Sequence, residues 1–125
     1  MAIDERLWAV RGAVQVEGNR SEPILSSTRE LLEELIRRNQ LKPEQMVSVI
    51  FTCTDDLNAA FPAVAARELG LDRVPLLCTR ELPVPGAMER VIRVLAQFYA
   101  PRDHQPAHTY LGATQALRAD LEASQ

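Results

Sequence analysis

Two arginines lie inside runs of apolar residues, where an unpaired charge is costly to remove from water. Arg11 separates LWAV from GAVQV, and Arg93 lies within the run VIRVL. Each arginine by itself is explained by an ion pair with one of the 17 acidic residues, or by the solvent side of an amphipathic element. For the two together, a site that grips a carboxylate or phosphate is an equal alternative.

Three further side chains could belong to such a site. Glu81 follows the third predicted strand, at the strand end where open α/β sheets place ligands, although a solvated loop carboxylate is the ordinary interpretation. Arg67 lies on a short predicted helix, where a surface pair with Glu68 or Asp72 is the simpler explanation. Tyr110 is typical of a half-buried tyrosine in a sheet.

The sequence lacks the common motifs of nucleotide, metal and nucleophilic-serine chemistry. It contains no G-x-G-x-x-G, G-x-x-x-x-G-K-[ST], H-E-x-x-H or G-x-S-x-G. Cys53 and Cys78 have no metal-ligand spacing and are expected to be buried free thiols. His104 and His108 lie in a proline-flanked stretch and are interpreted as lone surface histidines. We therefore expect no metal and no cofactor.

The composition predicts a single globular domain over residues 1–125, with 46% hydrophobic and 25% charged residues. A charged N-terminus and the lack of a long apolar run predict neither a signal peptide nor a membrane span, and hence a cytoplasmic protein. The net charge of −3 disfavours a nucleic-acid binder. Of the 14 basic residues, 13 are arginine, which a genomic or thermophilic bias also explains.

Hydrophobic periodicity predicts a β-α-β-α-β unit with more strand after it. In the first strand, Arg11 shares a face with Ala9 and Ala13, while Val10 and Val14 point the other way. The spacing of apolar residues over Ala87–Tyr99 favours a helix over a strand. The remaining predicted elements are a strand over Leu7–Val16, a long helix capped by Ser21, a strand over Met46–Cys53, a short helix over Pro62–Leu69 ended by Gly70, a strand over Val74–Thr79, a last strand over His108–Leu117 and a polar tail over 118–125.

Six short motifs resemble, in order along nearly the whole chain, the monofunctional trimeric chorismate mutases. The resemblance implies a mixed sheet of about five strands with two main helices on one face, assembled as a trimeric pseudo-α/β barrel. It also implies that Ile92–Ala100 is a strand, against the helical periodicity. The motifs are VRGA at Val10–Ala13, DLNAAFPAVAAREL at Asp56–Leu69, VPLLCTRE at Val74–Glu81, IRV at Ile92–Val94, YL at Tyr110–Leu111 and LRADL at Leu117–Leu121.

The same resemblance implies a role for each matching residue in converting chorismate to prephenate. Arg93 would contact the ether oxygen and a carboxylate, Arg11 with Tyr110 would grip the side-chain carboxylate, and Glu81 with Cys78 would contact the ring hydroxyl. Other positions would close a pocket at the subunit interface of a homotrimer. These are Phe61, Ala63 and Arg67 from the neighbouring subunit, and Leu117 and Arg118, which match the family's mobile C-terminal tail, with 118–125 as the tail of this chain.

Two departures from the family pattern affect binding more than chemistry. Val64 replaces a frequent lysine, which removes a cation from the pocket rim, and Leu77 replaces a frequent threonine before Cys78. Two other functions stay open at this point. One is a small trimeric imine or enamine deaminase, which would need an activated water and offers only Glu81 as a base. The other is a non-catalytic sensor of an aromatic-pathway acid.

Overall fold

A mixed five-stranded sheet with two helices on one of its faces forms the protein, as predicted. The computed structural model describes residues 4–118. Its elements are β1 (Glu5–Gln15), α1 (Ser21–Asn39), β2 (Met46–Cys53), α2 (Pro62–Glu68), β3 (Leu76–Arg80), β4 (Val91–Pro101) and β5 (Thr109–Tyr110), with short 3-10 turns at Pro43–Gln45 and Gly112–Thr114.

The strand order is β3-β2-β4-β1-β5. The central strand β4 runs antiparallel to both β1 and β2, while β3 is parallel to β2 and β5 is parallel to β1. β4 therefore joins the two halves of the sheet, and any side chain on β4 has a partner strand on each side.

The pleat of the sheet separates two faces, which we call the helix face and the open face. On the helix face, Val10, Phe51 and Phe98 are fully buried against α1 and α2. Neither α1 nor α2 covers the open face, and Leu7 and Tyr99 are 41% and 48% exposed there. The faces predicted for the first strand are confirmed, because the alternation of side chains is a local property of the pleat.

Two predicted elements are wrong, and both lie where the chain depends on distant partners. The periodic segment Ala87–Tyr99 is not a helix, since Val91–Pro101 forms β4, as the family resemblance implied. β4 is buried on much of both faces and hydrogen-bonded on both edges, and this tertiary context overrides its helical spacing. The predicted strand over His108–Leu117 shrinks to Thr109–Tyr110, because Gly112 adopts a positive φ of 57° and a 3-10 turn follows.

Smaller differences concern the helices and the tail. Ser21 is the first helical residue of α1 rather than its cap, which is Arg20 with no side-chain capping bond. Gly70 follows α2 with a φ of 94°, as a helix stop requires. Of the predicted tail, only Arg118 is described, and residues 119–125 lie outside the described part of the chain. No helix within residues 4–118 is both long and apolar enough to cross a bilayer.

Candidate active site

Four of the predicted site residues meet on the open face of the sheet. Arg11, Glu81, Arg93 and Tyr110 line one cleft of about 200 Å³, which we call the open-face cleft. Arg11 lies on β1, Arg93 on β4 and Tyr110 on β5, and Glu81 directly follows β3. The fold of the whole sheet is therefore needed to bring them together. The other lining residues are Gly12, Ile50, Thr52, Val94 and Leu95.

The register of the central strand places Arg93 in the middle of this cleft. Arg93 lies directly opposite Ala13 on β1 and opposite Thr52 on β2. Arg11 lies opposite Leu95 and two residues from Ala13, and is therefore a diagonal neighbour of Arg93 on the same face. Two guanidinium groups thus share one side of the sheet, an arrangement suited to a ligand with more than one negative charge.

Glu81 lies close to Arg93, but Nε of Arg93 donates no hydrogen bond to it. The Nε atom of Arg93 lies 3.4 Å from Glu81 Oε2. It is nevertheless buried and lacks a hydrogen-bond partner within residues 4–118. The contact is therefore electrostatic, and it leaves a buried donor unsatisfied. Such a group is costly unless something else accepts its hydrogen. The side chain of Arg93 as a whole is 43% exposed, so its remaining atoms face the cleft.

Thr52 holds the carboxylate of Glu81, a contact that the sequence did not reveal. Thr52 Oγ1 donates a hydrogen bond to Glu81 Oε2, the same oxygen that faces Arg93. The backbone N–H of Glu81 donates to the carbonyl of Cys53 at 2.9 Å, which keeps Glu81 beside β2 after β3 has ended. The available signal was weak, because a threonine inside a β-rich run is ordinary.

Arg90, the residue directly before β4 and three positions before Arg93, is held by hydrogen bonds to an aspartate. Arg90 adopts a positive φ of 53°, which is unusual for a residue other than glycine. Both carboxylate oxygens of Asp56 accept its backbone N–H, at 3.1 and 3.0 Å. The backbone carbonyl of Arg90 accepts the N–H of Val16 at 2.7 Å, and Nε of Arg90 donates to the carbonyl of Val16 at 2.9 Å. These bonds tie the entry of β4 to both neighbouring strands and so support the position of Arg93.

Tyr110 reaches the cleft because β5 lies unusually close to β1. A Cβ atom at Gly12 would come within 2.5 Å of the Thr109 carbonyl, so only glycine allows this approach. Tyr110 is 6% exposed and packs with Ala13 and Val91, as expected for a sheet tyrosine. Leu117 packs against the same cluster, whereas Arg118 is exposed.

The sequence suggested that His104 and His108 are lone surface residues, and this prediction is wrong. His108 is half-buried, and its Nδ1 accepts the backbone N–H of Arg11 at 3.0 Å. His104 packs edge-on against Phe98, with Nε2 3.1 Å from Oδ1 of the buried Asn39. Burial lowers the pKa of both imidazoles, and the neighbouring guanidinium groups lower the pKa of His108 further. The proline-flanked stretch is therefore folded onto the sheet, which local sequence does not reveal.

Cys78 does not join the other predicted site residues. It lies opposite Phe51, so its thiol is on the helix face, where it packs half-buried beside Cys53. Both thiols are free. Burial raises the pKa of Cys53 to about 11, with smaller contributions from repulsion by the nearby Cys78 and Glu81. Within residues 4–118, no three His, Cys, Asp or Glu side chains are grouped to hold a metal ion.

The three residues expected from a neighbouring subunit also lie on the helix side. Phe61 is 70% exposed and Arg67 is exposed, whereas Ala63 is 4% exposed and packs in the core. Phe61 lines a larger cavity of about 410 Å³ together with Cys53 and Cys78. None of these three residues lines the open-face cleft of the same chain.

Comparisons with known proteins identify the family of this chain. The family described as chorismate mutase type I matches residues 7–121. Chorismate mutase AroH of Thermus thermophilus is 49% identical over 119 residues, covering 93% of this chain and 97% of that protein. Chorismate mutase AroH of Bacillus subtilis is 44% identical over 115 residues, covering 90% of each chain.

Among solved structures, a chorismate mutase from Clostridium thermocellum is similar with a TM-score of 0.80 and 39% identity. The match covers 87% of this chain and 98% of that one. Sequence and fold therefore agree over nearly the full length of each relative. The chain belongs to the chorismate mutase type I family.

Proposed function

We propose that this protein binds chorismate in the open-face cleft and rearranges it to prephenate, a step of aromatic amino acid biosynthesis. As a member of its family it is an isomerase. The observation that carries the assignment to this cleft is the convergence of Arg11, Arg93, Glu81 and Tyr110 on one side of the sheet. A biosynthetic enzyme of this kind would work in the cytoplasm.

The reaction asks little of the protein beyond binding and charge. Chorismate rearranges within one molecule, so that an ether C–O bond breaks while a C–C bond forms, and no atom is gained or lost. Two effects lower the barrier. The enolpyruvyl side chain must be held over the ring in the reactive conformer, and negative charge that develops on the ether oxygen must be met by a donor already in place.

We assign the ether oxygen to Arg93. Its side chain lines the cleft and is 43% exposed beside the carboxylate of Glu81, so guanidinium N–H donors are in place before the reaction begins. A donor of this kind typically contributes about 3–4 kcal/mol to transition-state stabilisation. A guanidinium also presents several donors in one plane, which allows Arg93 to contact a carboxylate of the substrate at the same time.

Arg11 and Tyr110 would hold the side-chain carboxylate, and Glu81 the ring hydroxyl. Thr52 and Arg93 both contact Oε2 of Glu81, so we assign the other oxygen, Oε1, to the substrate. In this arrangement Thr52 fixes the rotation of the carboxylate. Glu81 is then an acceptor of a hydroxyl hydrogen bond rather than a base that activates water, which argues against the deaminase alternative.

Cys78 would act through its backbone rather than its thiol. The carbonyl of Pro75 accepts from Val49, and the N–H of Glu81 donates to Cys53, so alternate residues of β3 direct their backbone groups towards β2. Cys78 is one residue out of step with this alternation. Its N–H therefore points away from β2, at the free edge of the sheet. That N–H could reach a ligand hydroxyl, whereas the thiol on the helix face could not.

The site would be completed by a second copy in a homotrimer. The open-face cleft, at about 200 Å³, is smaller than the roughly 300–1,000 Å³ of common ligand pockets. Its face exposes apolar side chains that a partner could cover, including Leu77, which is 59% exposed. The exposed Phe61 and Arg67 are available to a neighbouring chain, while the buried Ala63 could contribute only its backbone.

Leu117 would cover the ligand from the C-terminal side, since it already packs beside Tyr110, and Arg118 would add a cation at the rim. Val64 would leave one position of that rim without the frequent lysine. Leu77, on the open face, would exchange a hydroxyl for apolar area at the subunit contact.

Loss of the ultraviolet absorbance of chorismate, with prephenate measured as the product, tests the function directly. Turnover that yields prephenate supports the proposal. Saturable binding of chorismate without turnover would contradict it and indicate a sensor, and release of ammonia from imines would indicate a deaminase. Sedimentation of the purified protein tests the trimer, which a monomer at micromolar concentration would rule out.

A further inference from the structure

The shortest strand of the sheet carries a ligand-binding tyrosine and needs a special attachment at its first end. β5 consists of only Thr109 and Tyr110, paired with Gly12 and Ala13 of β1. After the strand, the N–H of Leu111 donates to the carbonyl of Ala13 at 3.0 Å. Before the strand, the backbone pairing with β1 has ended, and the imidazole of His108 supplies the next hydrogen bond to β1.

The bond at this first end joins β5 directly to Arg11. His108 Nδ1 accepts the backbone N–H of Arg11 at 3.0 Å, in the place where a longer strand would offer a carbonyl. Thr114 Oγ1 also donates to the carbonyl of Ala13, at 2.9 Å, but it acts at the other end of β5. His108 is therefore the side chain that ties Arg11 to the segment bearing Tyr110.

A ring nitrogen can accept this bond only while it carries no proton, so the contact requires a neutral imidazole. The charged groups around His108 favour that state. Arg11 faces it from β1, Arg118 from the C-terminal segment, and Arg38 of α1 donates to the His108 carbonyl at 3.4 Å. Arg38 is itself paired with Glu34 at 3.0 Å, the acidic side chain of this group. Burial and the guanidinium groups of Arg11 and Arg118 lower the pKa of the ring.

We propose that His108 is a positioning residue for substrate binding, which as a neutral acceptor sets the spacing between Arg11 and Tyr110. This inference rests on the proposed function, because those two side chains are the assigned grip on the substrate carboxylate. Protonation would replace the acceptor with a second donor opposite the Arg11 N–H and add a cation beside three arginines. Acid would therefore weaken chorismate binding before it affects the chemical step.

The test is the dependence of KM and kcat on pH, measured from about pH 8 down to about pH 5, a range that spans the ordinary histidine pKa. The wild-type protein is expected to show a KM that rises as the pH falls through the lowered pKa of His108, with kcat changing less. His108→Asn places an amide oxygen near the position of Nδ1. This variant should have the wild-type KM at pH 8, and its KM should not rise as the pH falls.

His108→Leu removes the acceptor and should raise KM about tenfold already at pH 8, the equivalent of one lost hydrogen bond. If it fails to fold, the asparagine variant alone decides. His104→Gln is the matched control, since His104 is also half-buried with a lowered pKa but contacts Asn39 rather than Arg11. It should retain the wild-type rise of KM in acid.

The inference is overturned if the rise of KM persists in His108→Asn, or if a folded His108→Leu has the wild-type KM at pH 8. A lowered melting temperature with an unchanged pH profile would likewise show a structural role only. These outcomes differ from failure of the proposed function, in which the wild-type protein would not convert chorismate at any pH.

Discussion

Consecutive residues of one strand meet opposite surroundings on the two faces of this sheet. Phe51 is fully buried beneath the helices, whereas the next residue, Thr52, holds Glu81 in the open-face cleft. On β4, Ile92 is fully buried and Arg93 lies in the cleft. The helix face has a closed apolar core, and the open face has charges and exposed apolar area. Stability and ligand binding are therefore divided between residues that are neighbours in sequence.

The largest effect is expected on the helix face. Phe51→Ala leaves a cavity beneath α1 and α2 and should lower the free energy of unfolding by about 3–5 kcal/mol. The fraction that remains folded should keep its kcat, because Phe51 does not line the open-face cleft. Chemical denaturation monitored by circular dichroism gives the first quantity, and chorismate turnover per folded molecule gives the second. A folded variant with kcat reduced a hundredfold would mean that the faces are not independent.

Arg93→Ala should produce the opposite pattern. We expect kcat to fall by at least about a hundredfold while the fold survives, because a donor to the transition state is lost from a partly exposed position. Arg93→Lys keeps the charge but not the planar fork, and should recover only part of the activity. Ile92→Val is the matched control on the other face, with a cost of about 0.5–1.5 kcal/mol in stability and an unchanged kcat. Near-normal turnover by Arg93→Ala would refute the role given to this residue.

Thr52→Val tests whether orientation of Glu81 matters. The change preserves shape but removes the hydroxyl that donates to the carboxylate. A hydrogen bond to a charged group contributes about 1.5–3 kcal/mol, so kcat/KM should fall roughly ten- to hundredfold. Thr52→Ser retains the hydroxyl and should restore most of the loss. Equal activity in the valine and serine variants would show that Glu81 is held by other contacts.

The smallest effect on activity is expected for Cys78→Ala. The thiol lies on the helix face, so kcat/KM should stay within about twofold of wild type, while stability falls by about 1 kcal/mol from lost apolar burial. Steady-state kinetics with chorismate and thermal unfolding measure the two effects. A tenfold loss of kcat/KM without loss of stability would place the thiol, rather than the backbone N–H, against the substrate.

Several features of the site can be predicted from the order of the residues alone. Arginines inside apolar runs, a carboxylate after a strand, and motifs in the order of a known family all point to an anion-binding sheet. The features that cannot be predicted in this way depend on contacts between distant segments. The helical spacing of Val91–Pro101 gives way to pairing on both edges, and the grip of Thr52 on Glu81 joins residues from two strands whose register is not local.

The order of the residues is enough to predict which side chains share a face of each strand, because the alternation of the pleat is a property of consecutive residues. It also predicts the two helices α1 and α2, through their apolar stripe and the glycine after α2. Three other features become visible only in the folded chain: four strands bring Arg11, Glu81, Arg93 and Tyr110 to one cleft, the thiol of Cys78 points to the opposite face, and His108 bonds the first end of a strand two residues long. Such relations are set by strand order and register, which arise from the packing of the whole sheet.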